Sequence, residues 1–358
     1  MTRVCFFGAY DPGYPRNRLL IDGLRKCGVL VVEARAAERR AVLRYPALVL
    51  AFARVARAAQ VLLVPAFRHK DVPLASGLKG RRLLVFDPLV SRYDTLVGDW
   101  AIHEEGSAQA RWNRAIDRWA LSRADRVLCD TWAHGALFER LGVERRRLRR
   151  VLVGAEDQFF RAADPPAEPL RVVYLGGFLP LHGITTVLEA AALLEREAPR
   201  LPEFRVDLVG RGIDFERART LAARLSLGRV GFPGPSPYLE APRVLSRATI
   251  VLGAFGAGEK AGRVIPHKVY QGLACGRAVV TGDGSGLREV FEPGRHLVAV
   301  PRGDAAALAQ ALADLIGCPE RRAALAKSGR ERMLEIGTAE RIGRTLVEAI
   351  EGEAEGKR

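Results

Sequence analysis

A chain of 358 residues, 48% of them hydrophobic, holds enough apolar material for two ordinary domains, each with its own core. Its formal net charge of +15 suits phosphate-bearing partners, whether a nucleotide, a nucleic acid or an anionic membrane, and does not choose among them. No apolar run reaches the roughly 18 residues that a spanning helix requires, and Met1 to Gly8 leads straight into a strand with no basic and apolar leader pattern, so neither a membrane span nor a secretory signal is expected.

In chain order, Arg3 to Gly8 reads as a strand, Pro15 to Cys27 as a helix, Val29 to Glu33 as a strand and Ala37 to Ala58 as a long helix. Val61 to Pro65, Arg82 to Asp87, Arg126 to Asp130 and Arg149 to Val153 read as further strands, with helical spacing over Gln109 to Ser122 and Ala133 to Leu141. Strict alternation of strand and helix implies parallel strands joined by right-handed crossovers, hence a doubly wound sheet. The five cysteines, Cys5, Cys27, Cys129, Cys275 and Cys318, are scattered through these apolar patterns without disulfide or metal spacing. They are expected as core residues in a reducing cytoplasm.

The Pro- and Ala-rich segment 161–170 reads as a linker between a first domain at 1–160 and a second at 171–330. After it the same rhythm restarts with strand Val172 to Leu175, helix Ile184 to Arg196, strand Arg205 to Val209, helix Phe215 to Leu225 and strand Ile250 to Phe255. Arg263 to Glu289 then carries a helix opened by Pro266, with His267, Lys268 and Gln271 within one turn of one another and Gly276 as a left-handed stop. The run Ala278 to Val280 reads as a strand buried on both faces, and Gly282, Gly284 and Gly286 leave room for a ligand against bare backbone. Ala305 to Glu351 is almost entirely helix-forming.

The segment around Lys268 resembles the donor-site signature of the two-domain GT-B glycosyltransferases, in particular glycosyltransferase family four (glycosyl transferases group 1). Lys268 stands where that family has its phosphate-binding cation, Leu273-Ala274-Cys275-Gly276 with Ala278-Val279-Val280 follow the strand entry, and Glu289 stands at its post-glycine Glu. Two positions depart: Gln271 replaces the Glu that holds the ribose hydroxyls, and Arg263 replaces the first Glu of the paired acids. Gln can still bond a hydroxyl, whereas a guanidinium cannot accept from one. The resemblance implies two Rossmann-like domains facing across a cleft, C-terminal helices at 331–358 packing back on the first domain, and transfer of a sugar from a nucleotide diphosphate donor with retention of anomeric configuration. It further implies no permanent cofactor or metal, and a glycan or lipid-linked acceptor in cell-surface synthesis.

In open α/β sheets, ligands sit beyond the carboxyl ends of the strands, and that rule selects the candidate residues. On the donor side these are Gly176, Gly177, His182 and Gly210, then Lys260, Arg263, Lys268 and Gln271, then Gly282, Asp283, Gly284, Ser285 and Glu289. The family pattern has an Arg and a Lys where Gly177 and His182 stand, so the expected diphosphate clamp shifts to Lys260, Arg263 and Lys268. On the acceptor side, Gly8, Tyr10, Asp11, Arg16 and Asp94 line the expected loops, and Asp87, at a strand end before Pro88, is expected to point into the mouth as a base.

The stretch from Glu38 to Arg57 reads either as a basic amphipathic helix resting on an anionic bilayer from the cytoplasmic side or as a core-packed helix with an Arg-bearing outer face. Three other functions compete with the enzyme. A nucleic-acid-binding protein would need a concentrated basic stripe with aromatics, and scattered Arg with 7% aromatic residues argues against it. A dehydrogenase would need a G-x-G-x-x-G turn, which the first turn, GAYDPG, lacks. A catalytically degenerate member of the resembling family is the third.

Overall fold

The computed structural model describes residues 2–37, 40–161 and 169–352. The chain divides into two units, Met1–Val153 with Ala339–Arg358, and Gly154–Thr338. Most of the expected linker, residues 162–168, lies outside the described residues; the chain leaves the first unit before it, at Val153, and re-enters that unit at Ala339.

The first unit holds strands Arg3–Gly8 (β1), Leu30–Arg35 (β2), Val61–Val64 (β3), Leu83–Phe86 (β4), Arg126–Cys129 (β5) and Leu148–Arg150 (β6). They form a parallel sheet in the order β2-β1-β3-β4-β5-β6, so the direction of winding reverses between β1 and β3. One face of this sheet is covered by a core in which Phe7, Leu62 and Phe86 meet Leu48, Phe52, Ala120 and Phe138 from the helices. The other face joins Phe6 and Leu63 to Leu19, Leu20 and Leu24 of helix Pro15–Lys26 and to Ile342, Leu346 and Ile350 of helix Ala339–Glu351. These two helices meet at glycines: a Cβ on Gly23 would lie 2.4 Å from the Ala339 carbonyl, so only a bare backbone permits the approach.

The second unit holds Leu170–Leu175 (β7), Phe204–Val209 (β8), Val230–Gly234 (β9), Ile250–Leu252 (β10), Ala278–Gly282 (β11) and Val298–Val300 (β12). Their order is β12-β11-β10-β7-β8-β9, with the reversal between β7 and β10. Both units are therefore doubly wound, as the alternation predicts. Every residue of β11 is buried, which explains its unbroken apolar run. Helices Ala305–Gly317 and Pro319–Ile336 stay in the second unit, so residues 331–336 complete a helix there and only Ala339–Glu351 returns to the first.

Several boundaries differ from expectation for local reasons. The long helix expected from Ala37 to Ala58 has residues 38–39 outside the described set; it runs Ala41–Val55 and tightens into a 3₁₀ turn at Ala56–Ala58. Pro266 is the N-cap of helix His267–Ala274, with extended backbone (φ −63, ψ 149), and not its first helical residue. Gly276 does take the left-handed conformation, φ +67. Strand β9 escapes a pattern reading because Pro233 and two glycines interrupt it, and its pairing to β8 carries a register shift, as suits an edge strand.

Candidate functional site

At the winding reversal of the second unit, the loops after β7, β8, β10 and β11 close on one another with almost no side-chain volume between them. A Cβ on Gly210, whose φ is +146, would lie 1.9 Å from the Gly176 carbonyl oxygen. One on Gly282 would lie 2.6 Å from the Ala254 oxygen, and one on Gly284 2.5 Å from that of Gly262. Gly210, Gly282 and Gly284 are thus required by backbone contact, whatever else approaches them.

Lys268, the second residue of helix His267–Ala274, projects into this junction. Its ammonium lies so close to Gly176 that an added Cβ there would stand 3.1 Å from Nζ. Nζ sits 3.8 Å from the centroid of the Tyr174 ring and has no hydrogen-bond acceptor among the described residues, although the residue is only 4% exposed. A ring face offsets part of the cost of burying a cation but satisfies none of its three N–H donors. Burial accordingly pushes the Lys268 pKa well below the ordinary lysine range.

His182 lies beside it, with Nδ1 2.8 Å from the Tyr174 hydroxyl and in contact with the Gly177 carbonyl, to which Tyr174 also donates. Burial first, then the nearby Lys268 and Lys260 charges, push the His182 pKa well below its usual value. The expected part-time cation is therefore a neutral imidazole that fixes the Tyr174 hydroxyl and the Gly177 turn. The same charge effects place Lys260, which is itself buried, within range of this cluster. Arg263 departs from the expected clamp, because its Nη1 is 2.9 Å from the Glu259 carboxylate one turn back.

Gln271 is 5% exposed and donates from Nε2 to the Tyr238 hydroxyl at 3.1 Å, and Tyr238 in turn donates to Glu156. Asp283 accepts from the Gly284 N–H at 2.8 Å and from Arg288 Nε at 2.9 Å; Arg288 holds its carboxyl below the usual range. Ser285 Oγ lies 3.4 Å from the Gly262 oxygen, and Glu289, half-buried, caps the short helix Ser285–Arg288. Tyr174, Tyr238, Glu156 and Arg302, whose Nη1 donates to the Asp283 carbonyl at 2.9 Å, escaped the sequence reading. A tyrosine inside the apolar strand β7 was the one local signal that pointed to any of them.

In the first unit Gly8, with φ +141, backs onto Asp71, which accepts from the Ala9 N–H at 3.0 Å and binds Arg44 at 3.0 Å and Arg68 at 2.8 Å. Tyr10 donates to Glu33 at 2.6 Å and is buried, while Asp11 folds onto the Gly13 N–H at 2.8 Å as a turn. Asp94 opens a π-helical turn, Asp94–Asp99, with its N–H on Ser91 Oγ at 3.0 Å. Asp87 does not face an open mouth: Arg16 grips both its oxygens, at 2.9 and 3.3 Å, and also donates to the Val151 and Leu152 carbonyls. Both side chains are at most 2% exposed, so the expected base is one half of a buried ion pair. Two further pairs were not foreseen, His134 with Asp130 at 2.6 Å and His69 with Asp117 at 3.4 Å.

Residues 155–332 match the family of glycosyl transferases group 1. A relative named as a glycosyltransferase of colanic acid biosynthesis, WcaL of Escherichia coli (strain K12), is 30% identical over 192 residues, 52% of this chain and 46% of that protein. This chain thus spans about half the length of the curated relatives it matches. Among solved structures, Anabaena Alr3699/HepE in complex with UDP-glucose has a TM-score of 0.73 at 16% identity, covering 98% of this chain and 99% of that one. Sucrose-phosphate synthase from Thermosynechococcus elongatus has a TM-score of 0.71 at 18% identity, covering 97% and 98%. The second unit of this chain, carried on a GT-B fold of paired doubly wound domains, belongs to the glycosyl transferases group 1 family.

Proposed function

We propose that this protein transfers a sugar from a nucleotide diphosphate sugar to a glycan or lipid-linked acceptor in cell-surface polysaccharide synthesis, with retention of configuration. The observation that carries this reading is the buried Lys268 ammonium, without a hydrogen-bond acceptor at the strand ends of a group 1 glycosyl transferase domain. A diphosphate supplies the oxygens it lacks, and the ammonium then stabilises the charge that grows on the leaving group as the glycosidic bond breaks. Lys260 reinforces that field, and the backbone of Gly176, Gly177 and Gly282 to Ser285 lets the phosphates and sugar approach closely. Arg263 and Glu289 border the donor, and Gln271, through its amide, faces the ribose.

WcaL is named for colanic acid synthesis and the Anabaena protein is bound to UDP-glucose. The second makes uridine diphosphate sugars the first donors to try. Calorimetric titration of UDP, GDP, ADP and their sugar conjugates tests the reading. Lys268→Ala should weaken the best donor roughly 10- to 100-fold, as expected for losing a charge-assisted contact. Unchanged affinity across the whole panel would refute it, and the anomer of the product, read by NMR, tests retention. A second reading follows from the Gln271–Tyr238 bond, which occupies the amide where the family pattern has a carboxylate. In that reading the chain binds a nucleotide sugar without turning it over, and no released nucleotide would accompany tight binding.

A further inference from the structure

Helix Ala41–Val55 presents the opposite face to solvent from the one a crossover helix normally shows. Its buried stripe is Arg44, Leu48 and Phe52, whereas Val42, Leu43 and Leu50 are 83%, 55% and 63% exposed. At about 100° per residue, these three fall with Pro46, Val49 and Ala53 on one arc of the helix. Arg44 is turned inward by Asp71, 3.0 Å away, so a buried ion pair holds the inversion in place. Exposed Arg40, Arg54 and Arg57 stand at the ends and edge of the apolar arc.

A second helix, Ala108–Arg123, shows a related surface. Trp112 and Trp119, two turns apart on one line, are 62% and 47% exposed. Arg111, Arg114, Arg118 and Arg123 flank them in solvent. The one carboxylate of this helix, Asp117, is buried, accepting from Ser91 and lying 3.4 Å from His69. Leu48 and Phe52 of the first helix and Ala120 and Leu121 of the second share one core, so both helices cover the same face of the β2-to-β6 sheet and turn their outer sides away from it. From Arg40 to Arg82 the sole acidic residue is Asp71, fully buried.

We propose that the outer surface of this helix layer docks on an anionic lipid bilayer. The aliphatic arc and the two indoles would enter the boundary between headgroups and acyl chains, and the arginines would meet lipid phosphates. A nucleic acid would answer the charge but leave Val42, Leu43 and Leu50 in water. A second copy would bring arginines against arginines, since neither helix carries an exposed carboxylate and Glu104 and Glu105 lie ahead of the second helix, beyond its arginine rows. No helix among the described residues is long and apolar enough to cross a membrane, so the contact is one of lying on the surface. It does not depend on the donor chemistry, and vesicle binding and nucleotide-sugar titration fail separately.

The full chain should float with phosphatidylcholine vesicles containing one third phosphatidylglycerol, and only weakly with phosphatidylcholine alone, with a blue shift of tryptophan emission on binding. Trp112→Ser with Trp119→Ser, and separately Leu43→Ser with Leu50→Ser, should each cut partitioning roughly tenfold or more at an unchanged melting temperature, because all four side chains are largely in solvent. Absence of flotation with anionic vesicles, or flotation untouched by both double variants, overturns the proposal. So does duplex DNA binding of equal strength that survives the leucine changes, which would make this a polyanion site. A concentration-dependent dimer abolished by the same changes, without vesicle binding, overturns it in favour of self-association.

Discussion

Burial, more than any charged neighbour, sets how readily His69 takes up a proton. His69 is fully buried under Phe86, and the loss of water outweighs the favourable Asp117 charge, holding its pKa at about 4 against an ordinary value near 6.5. In the unfolded chain this imidazole takes up a proton below about pH 6.5, whereas in the folded chain it resists until about pH 4. Stability is therefore full above that window and declines as the pH falls through it, by on the order of 3 kcal/mol from this one group. Urea unfolding of the native protein and of His69→Phe between pH 4 and 7 should give a steeper decline in the native protein; parallel curves would refute the assignment. Lys268 stood out in the sequence through the likeness of its surroundings to the family's donor motif, since a helix behind Pro266 with a basic first turn is by itself a common pattern. The occupation of Asp87 by Arg16 was not legible there, since the two positions stand 71 apart and no local pattern couples them.

Elements with a clear period, such as helix Pro15–Lys26 or strands β7 and β8, fall within a residue or two of where the pattern puts them. The edge strands β9 and β12 and the short helices Val72–Leu78 and Glu259–Arg263 do not announce themselves, because three to seven residues give too little periodicity and their limits are set by neighbours. Helix Ala41–Val55 shows the converse failure. Its amphipathic pattern is plain in the sequence, but which side faces inward depends on Asp71, a partner outside the helix. Glycines at the loop junction act at this same scale, by letting two strand ends touch. Gly210→Ala, with its new Cβ directed at the Gly176 oxygen and a φ of +146 that alanine avoids, should destabilise the second unit by about 2 kcal/mol or more and weaken donor binding. Gly258→Ala, where nothing lies within 4 Å of the added Cβ, serves as the control and should change the melting temperature little. Equal melting curves for the two variants would contradict the packing argument.

Across the whole molecule, the two windings were readable from strand and helix alternation, but the place where each unit ends was not, because it depends on which core the last helix joins. Ile342, Leu346 and Ile350 of helix Ala339–Glu351 are buried against Leu19, Leu20 and Leu24. At about 1.5–3 kcal/mol for each large side chain, the three are worth on the order of 5 kcal/mol, comparable to the stability of a whole domain. A chain ending at residue 338 should therefore melt in two steps, with the first unit unfolding well below its native temperature and the second nearly unchanged; hydrogen exchange resolved by peptide distinguishes them. A single unshifted transition would contradict this. The chain route also has a temporal side. Residues that finish the first unit leave the ribosome after every residue of the second, so the leucine row on Pro15–Lys26 lacks the cover of Ile342, Leu346 and Ile350 throughout synthesis of the intervening part. The first unit is thereby completed only after the second has been made, a window in which nascent-chain chaperones have an apolar surface to hold.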